Sequence, residues 1–175
     1  MQNSPEAEMT EATFSERPSE VNYAALLGKP VLTPGESPPA SRNVRGAKVD
    51  FGAQRIVSLL VGDRKRPRWE LPPSDVQTIE QKGVTVAGEA SLRPLTHGGG
   101  RLVFAGQGGL IGAQLVGPRG DPIGTIVSFV FQLMDGAISR YEVSRGFLRD
   151  LLHGRRVLSS EEVARASMGE LVVEE

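Results

Sequence analysis

The chain has 175 residues, no cysteine and a formal net charge of −1. Without thiols there are no disulfides, thiolate metal sites or cysteine nucleophiles, and a near-neutral balance gives no overall field that would draw nucleic acid or an acidic membrane. Hydrophobic residues make up 39%, enough for the core of one domain with extensions.

Residues 1–47 read as a flexible N-terminal arm. Pro5, Pro18, Pro30, Pro34, Pro38 and Pro39 fall among Glu, Ser and Thr, and such a stretch buries too little surface to offset its conformational entropy. Its acidic start lacks the basic residues and apolar block of a signal peptide. One island interrupts it. Ser19 is a good helix cap, Gly28 a stop, and Val21, Tyr23, Leu26 and Leu27 between them bring apolar bulk, which predicts a short helix near 20–27. A helix this short is marginal alone. It either folds on a partner, with Val21, Tyr23, Leu26 and Leu27 as the docking residues, or packs on its own domain.

A single β-rich domain is expected over 48–175. Lys48 to Val61 reads as strand. It runs into Arg64, Lys65, Arg66 and Arg68 beside Trp69, the only tryptophan. Bases next to an aromatic can hold phosphate while stacking a nucleobase; a solvated hairpin tip whose Trp folds onto the core explains the same residues. Pro72-Pro73-Ser74-Asp75 reads as a helix start with a stop at Gly83. Strands are expected over Val84–Leu92, Arg101–Gly106 and Gly109–Val116.

The longest apolar ribbon is Pro122 to Val143. Ile123, Val127, Phe129, Phe131 and Leu133 alternate with Ile126, Val130 and Met134. A strand apolar on both faces belongs inside a domain, and Asp135-Gly136 supplies a hairpin turn. Beyond it, Ser144 can cap a helix to His153 with Phe147, Leu148, Leu151 and Leu152 on one face. Ser159 and Glu162 have capping-box spacing for a second helix to about Met168.

Chemistry-bearing patterns are few. Gly106, Gly108, Gly109 and Gly112 follow a strand, as in a phosphate-cradling turn, but Ile111 stands where the dinucleotide fingerprint needs its third glycine. The segment that follows is also too short for a crossover helix. Arg119-Gly120-Asp121 sits in a proline-bracketed turn, where those residues are expected for conformation alone. His97 and His153 are isolated, with no spacing that suggests a metal site, and no nucleophile-elbow motif is present. No catalytic, metal or cofactor site is expected, and no apolar run reaches the roughly 18 residues of a membrane span.

These features predict a mostly β or α+β fold: an antiparallel, sandwich-like sheet domain, with two short C-terminal helices covering one face or end and an extended N-terminal arm. The functional expectation is a non-enzymatic structural or assembly protein. It would self-associate as a subunit of a larger particle, viral or otherwise, with the arm docked on a neighbouring copy, in the cytoplasm or within the particle. A nucleic-acid-binding module using Arg64 to Trp69 is the second reading, and a nucleotide-binding protein using Gly106–Gly112 the third.

Overall fold

The computed structural model describes residues 18–35, 42–63, 66–104, 110–167 and 170–173. The chain is mostly β, as its alternating patterns predict. It begins with β1 (Glu20–Asn22), α1 (Tyr23–Leu26) and β2 (Val31–Leu32). A hairpin of β3 (Asn43–Asp50) and β4 (Arg55–Gly62) follows, then β5 (Pro67–Leu71). After a single 3₁₀ turn at Pro73–Asp75 come β6 (Val76–Glu80) and β7 (Gly83–Val86), then β8 (Arg93–Pro94) and β9 (Arg101–Phe104).

The second half runs through β10 (Gln114–Val116), β11 (Pro122–Gln132), β12 (Ile138–Ser144), α2 (Phe147–His153) and β13 (Arg156–Ser159). A 3₁₀ turn at Ser160–Glu162 then leads to β14 (Val163–Ser167) and β15 (Glu170–Val173). One sheet has the order β13-β12-β11-β10-β15-β14, with β1 also on β11. A second is β8-β5-β4-β3-β9, and a third β2-β7-β6.

This element order is a repeat that the sequence pattern does not announce. In each half a short strand precedes a long hairpin and a third strand, and a 3₁₀ turn leads to a second hairpin whose last strand runs parallel to the first. Thus β2 pairs parallel with β7 and β10 parallel with β15, while β3-β4-β5 corresponds to β11-β12-β13. Aligned on the two 3₁₀ turns, Val76 falls with Val163 and Leu71 with Leu158, and all four are buried.

The ribbon β11 is interior, as its doubly apolar pattern predicts: Ser128, Phe129, Val130 and Phe131 are all buried. Bulges at Val127 and Ser139 break strict alternation against β12, and Met134 lies exposed in the turn rather than on an inner face. That turn is glycine-dependent. Gly136 has φ 78°, and a Cβ there would lie 2.0 Å from the Ile56 carbonyl oxygen. The contact matters because the Ile56 N–H donates to the Gly136 carbonyl at 2.8 Å and the Ile138 N–H to the Gln54 carbonyl at 2.9 Å, tying the two long hairpins together.

Three expectations are corrected. Residues 18–35 are not a free arm: Val21, Tyr23 and Leu26 are buried in the chain's own core, and Leu27 packs against it. The Tyr23 ring stacks on Phe129 at 4.5 Å and 13°. Asn22 caps α1 through the Ala24 N–H at 3.0 Å, accepts from the Ser128 hydroxyl at 2.6 Å and donates to Glu142 at 2.8 Å. The island is apolar because it covers β11, so the short helix is real but its partner is intramolecular, and the first long strand starts at Asn43.

The helix expected after Pro72 is one 3₁₀ turn leading into a hairpin, because burying Val76, Val84 and Val86 needs extended chain. Likewise the Ser159–Glu162 capping box forms but closes on one 3₁₀ turn before Val163–Ser167 extends as strand. Tertiary pairing with β15 overrides the local cap.

The placement of the N-terminal segment gives a direct test. Tyr23→Ala should cost about 3 kcal/mol, as for other large buried aromatics, read as a lowered urea midpoint. A free arm would leave the midpoint within about 0.5 kcal/mol of the unsubstituted chain.

Candidate functional site

Two clusters of charged or apolar side chains stand out, and they occupy equivalent places in the two halves. The first surrounds the link from β4 to β5. Arg64 and Lys65 lie outside the described residues. Arg66 and Arg68 are exposed, and both lean on Asp63: the Arg66 N–H donates to its carboxylate at 3.1 Å, and the Arg68 guanidinium lies 3.7 Å away. Trp69 packs against the core. Its ring is covered by the Arg42 guanidinium at 5.6 Å, itself paired to Glu89 at 2.7 Å. A ring held this way has a cation on its face where a stacked base would sit. Trp69 is thus packed on the core under Arg42, while Arg66 and Arg68 remain exposed beside it.

Next to Trp69, Glu70 anchors a network that sequence reasoning missed. Lys48 is buried on β3, and its ammonium lies 2.5 Å from a Glu70 oxygen and 2.9 Å from the Thr96 carbonyl. Glu70 also accepts from the Thr96 N–H at 2.7 Å and the Ser58 hydroxyl at 3.0 Å. Burial pushes the Glu70 carboxyl up, but the bonds from Lys48, Thr96 and Ser58 outweigh it and bring it from 4.5 down to about 2. Every strong donor in the network is directed at one carboxylate. A lysine inside an apolar strand was the available signal, since a buried ammonium demands a partner.

The second cluster is α2 and the strand after it. The apolar spacing predicts a helix that covers the sheet; instead Phe147 is 80% exposed, Leu151 71% and Leu152 75%, and Val157 on β13 is 57% exposed. The helix is held by polar clasps. The Ser144 hydroxyl bonds Asp150 at 2.5 Å, the Arg145 N–H donates to Asp150 at 3.0 Å, and the Gly154 N–H closes the end on the Asp150 carbonyl. Those two side-chain bonds keep the Asp150 carboxyl below its usual range. Ser144, Phe147, Asp150, Leu151 and Arg155 line an open pocket of about 470 Å³.

The neighbouring edge differs between the halves. In the first half, β5 carries β8 on its outer edge, with Trp69 opposite Pro94 and Glu70 opposite Arg93. In the second half, among the described residues, the equivalent strand β13 pairs only with β12. Its outer edge is open, and Arg155, Arg156 and Val157 along it are all exposed.

The remaining candidates contribute little. Gly106, Gly108 and Gly109 lie outside the described residues; Gly112 has φ 91° and sits in a turn whose N–H bonds the Ile126 carbonyl at 2.8 Å. His97 and His153 are exposed and far apart in sequence. Among the described residues, no group of three or more His, Asp or Glu is placed to hold a metal ion, and no helix is long and apolar enough to cross a membrane. No protein-family model matches this chain, and no curated protein sequence does either.

The Glu70 network has a pH signature. A carboxyl held low in the folded state stabilises the fold above its unfolded value and loses that contribution on acidification. The urea midpoint should therefore fall as pH drops from about 4.5 towards about 2, and Glu70→Gln should flatten that part of the profile while lowering stability at pH 7.

Proposed function

We propose that this protein is a non-enzymatic assembly subunit that self-associates, a building block whose contacts are with copies of itself. The observation that carries this reading is α2. Phe147, Leu151 and Leu152 together expose an apolar face on a seven-residue helix that makes no use of them in its own fold. A helix of that length is not stable by its own propensity, and among the described side chains it is the bonds to Asp150 that hold it. Large side chains kept in water in this way forgo roughly 1.5–3 kcal/mol each, which burial against a partner would recover.

The surroundings favour a protein partner. The apolar face shares its pocket with Arg155, which leads into β13, so a sheet edge unpaired among the described residues adjoins the exposed helix. Edge strands left open in this way template pairing with another chain. A non-enzymatic role is also consistent with the Lys48–Glu70 cluster, whose charges are spent on each other and on Thr96 and Ser58. The route differs from arm exchange, since Val21, Tyr23 and Leu26 are already buried at home.

Light scattering across a concentration series tests the reading. The unsubstituted chain should show a mass above that of one copy, rising with concentration. A variant carrying Phe147→Ser, Leu151→Ser and Leu152→Ser should stay a monomer with a thermal midpoint within a few degrees of the parent. A parent that remains monomeric throughout would overturn the proposal.

A further inference from the structure

We infer that the partner is a second copy of this chain joined by antiparallel pairing of the two β13 edges about a two-fold axis at Val157, continuing the sheet from one copy into the other. This deepens the self-association reading and rests on it.

The outer edge of β5 takes β8 as an antiparallel strand, through Trp69 and Glu70. Aligned on the 3₁₀ turns, those two residues fall with Arg156 and Val157, and buried Leu71 falls with buried Leu158. The fold therefore uses this same edge to receive a strand in one half and leaves it open, among the described residues, in the other.

Two identical strands pair antiparallel in one sheet only around a two-fold perpendicular to it, which sets one residue against its own copy. Val157 is the residue suited to that position. It is apolar and 57% exposed, so self-pairing covers it. Ser159 is less suited, because it is polar and half-buried, so self-pairing there covers no apolar surface. Leu158 faces the core.

β13 has Arg155 and Arg156 at its start and Glu161 and Glu162 just past its end, and all four are exposed. Antiparallel pairing lays the basic end of each copy beside the acidic turn of the other. With Val157 opposite itself, Arg155 lies opposite Ser159 and diagonal to Glu161, within reach of its long side chain. A parallel arrangement would instead bring like charges together. The same pairing carries each α2, joined to Arg155 through Gly154, to the other copy's Ser160–Glu162 turn.

The test uses charge exchange in the full chain, read by sedimentation or light scattering. Arg155→Glu alone and Glu161→Arg alone should each weaken self-association roughly tenfold, by replacing two symmetry-related attractions with repulsions. Mixing the two variants should restore association as a heterodimer, because the R155E chain is acidic at both positions and the E161R chain is basic at both. The double variant R155E/E161R should recover the homodimer. Restoration on mixing cannot come from misfolded chains. In a chain without cysteine, Val157→Cys should also give an interchain crosslink with a short bifunctional thiol reagent, and Met134→Cys in the opposite turn of the hairpin should not. A parent that self-associates while neither charge variant alters it and the mixture forms no heterodimer overturns this geometry and leaves self-association standing. A monomeric parent overturns both.

Discussion

The fold depends on the place where its two long hairpins touch. The Ile56 N–H reaches the Gly136 carbonyl and the Ile138 N–H reaches the Gln54 carbonyl, so a turn from each half is closed by the other. Gln54, held at φ 46°, takes the Tyr141 hydroxyl at 2.9 Å and donates toward the Ser160 and Val163 carbonyls at 3.3 Å. One side chain thus bonds to β12, to the 3₁₀ turn after β13 and to the start of β14. Only glycine fits at position 136, because the Ile56 carbonyl fills the space a Cβ would need. The two repeats are therefore interlocked rather than merely tethered, and the geometry of the β13 edge follows from that junction.

From this frame the two halves diverge in what they do with equivalent parts. In the first, the link between the second and third strands is short and basic in sequence, the third strand pairs on its outer edge with β8, and its Glu70 holds the buried Lys48. In the second, the same link grows into α2, the third strand carries Val157 where the first has Glu70, and no strand among those described covers it. A buried ion pair needs its full set of donors to be tolerable, and Glu70 has them through Thr96 and Ser58. Val157 has nothing comparable, which leaves an apolar residue on an open edge beside an apolar helix. Subunit association is the physical use proposed for that asymmetry.

The role of residues 18–35 shows how composition misleads. Proline and small polar residues around Val21 to Leu27 look like a chain that cannot fold on itself. What they do instead is supply one strand of three residues and one turn of helix, each too short to persist alone, both fixed by a ring stack on Phe129 and an asparagine bonded to Ser128 and Glu142. Non-local contacts of this kind leave no local periodicity to read.

Much of the architecture depends only on neighbours along the chain. The β-rich class, the interior ribbon at Phe129 to Phe131, the Asp135-Gly136 turn, the helix before Gly154 and the capping box at Ser159 all follow from side-chain alternation, turn chemistry and caps. Long-range packing selected which of these local preferences prevailed. It made strands of Val76–Glu80 and Val163–Ser167, because their valines are buried by pairing. It drew Tyr23 and Lys48 to partners more than twenty residues away, and it turned Phe147, Leu151 and Leu152 outward. Apolar spacing shows that a helix has a face; whether that face meets the chain's own core depends on where the rest of the chain has placed the sheet.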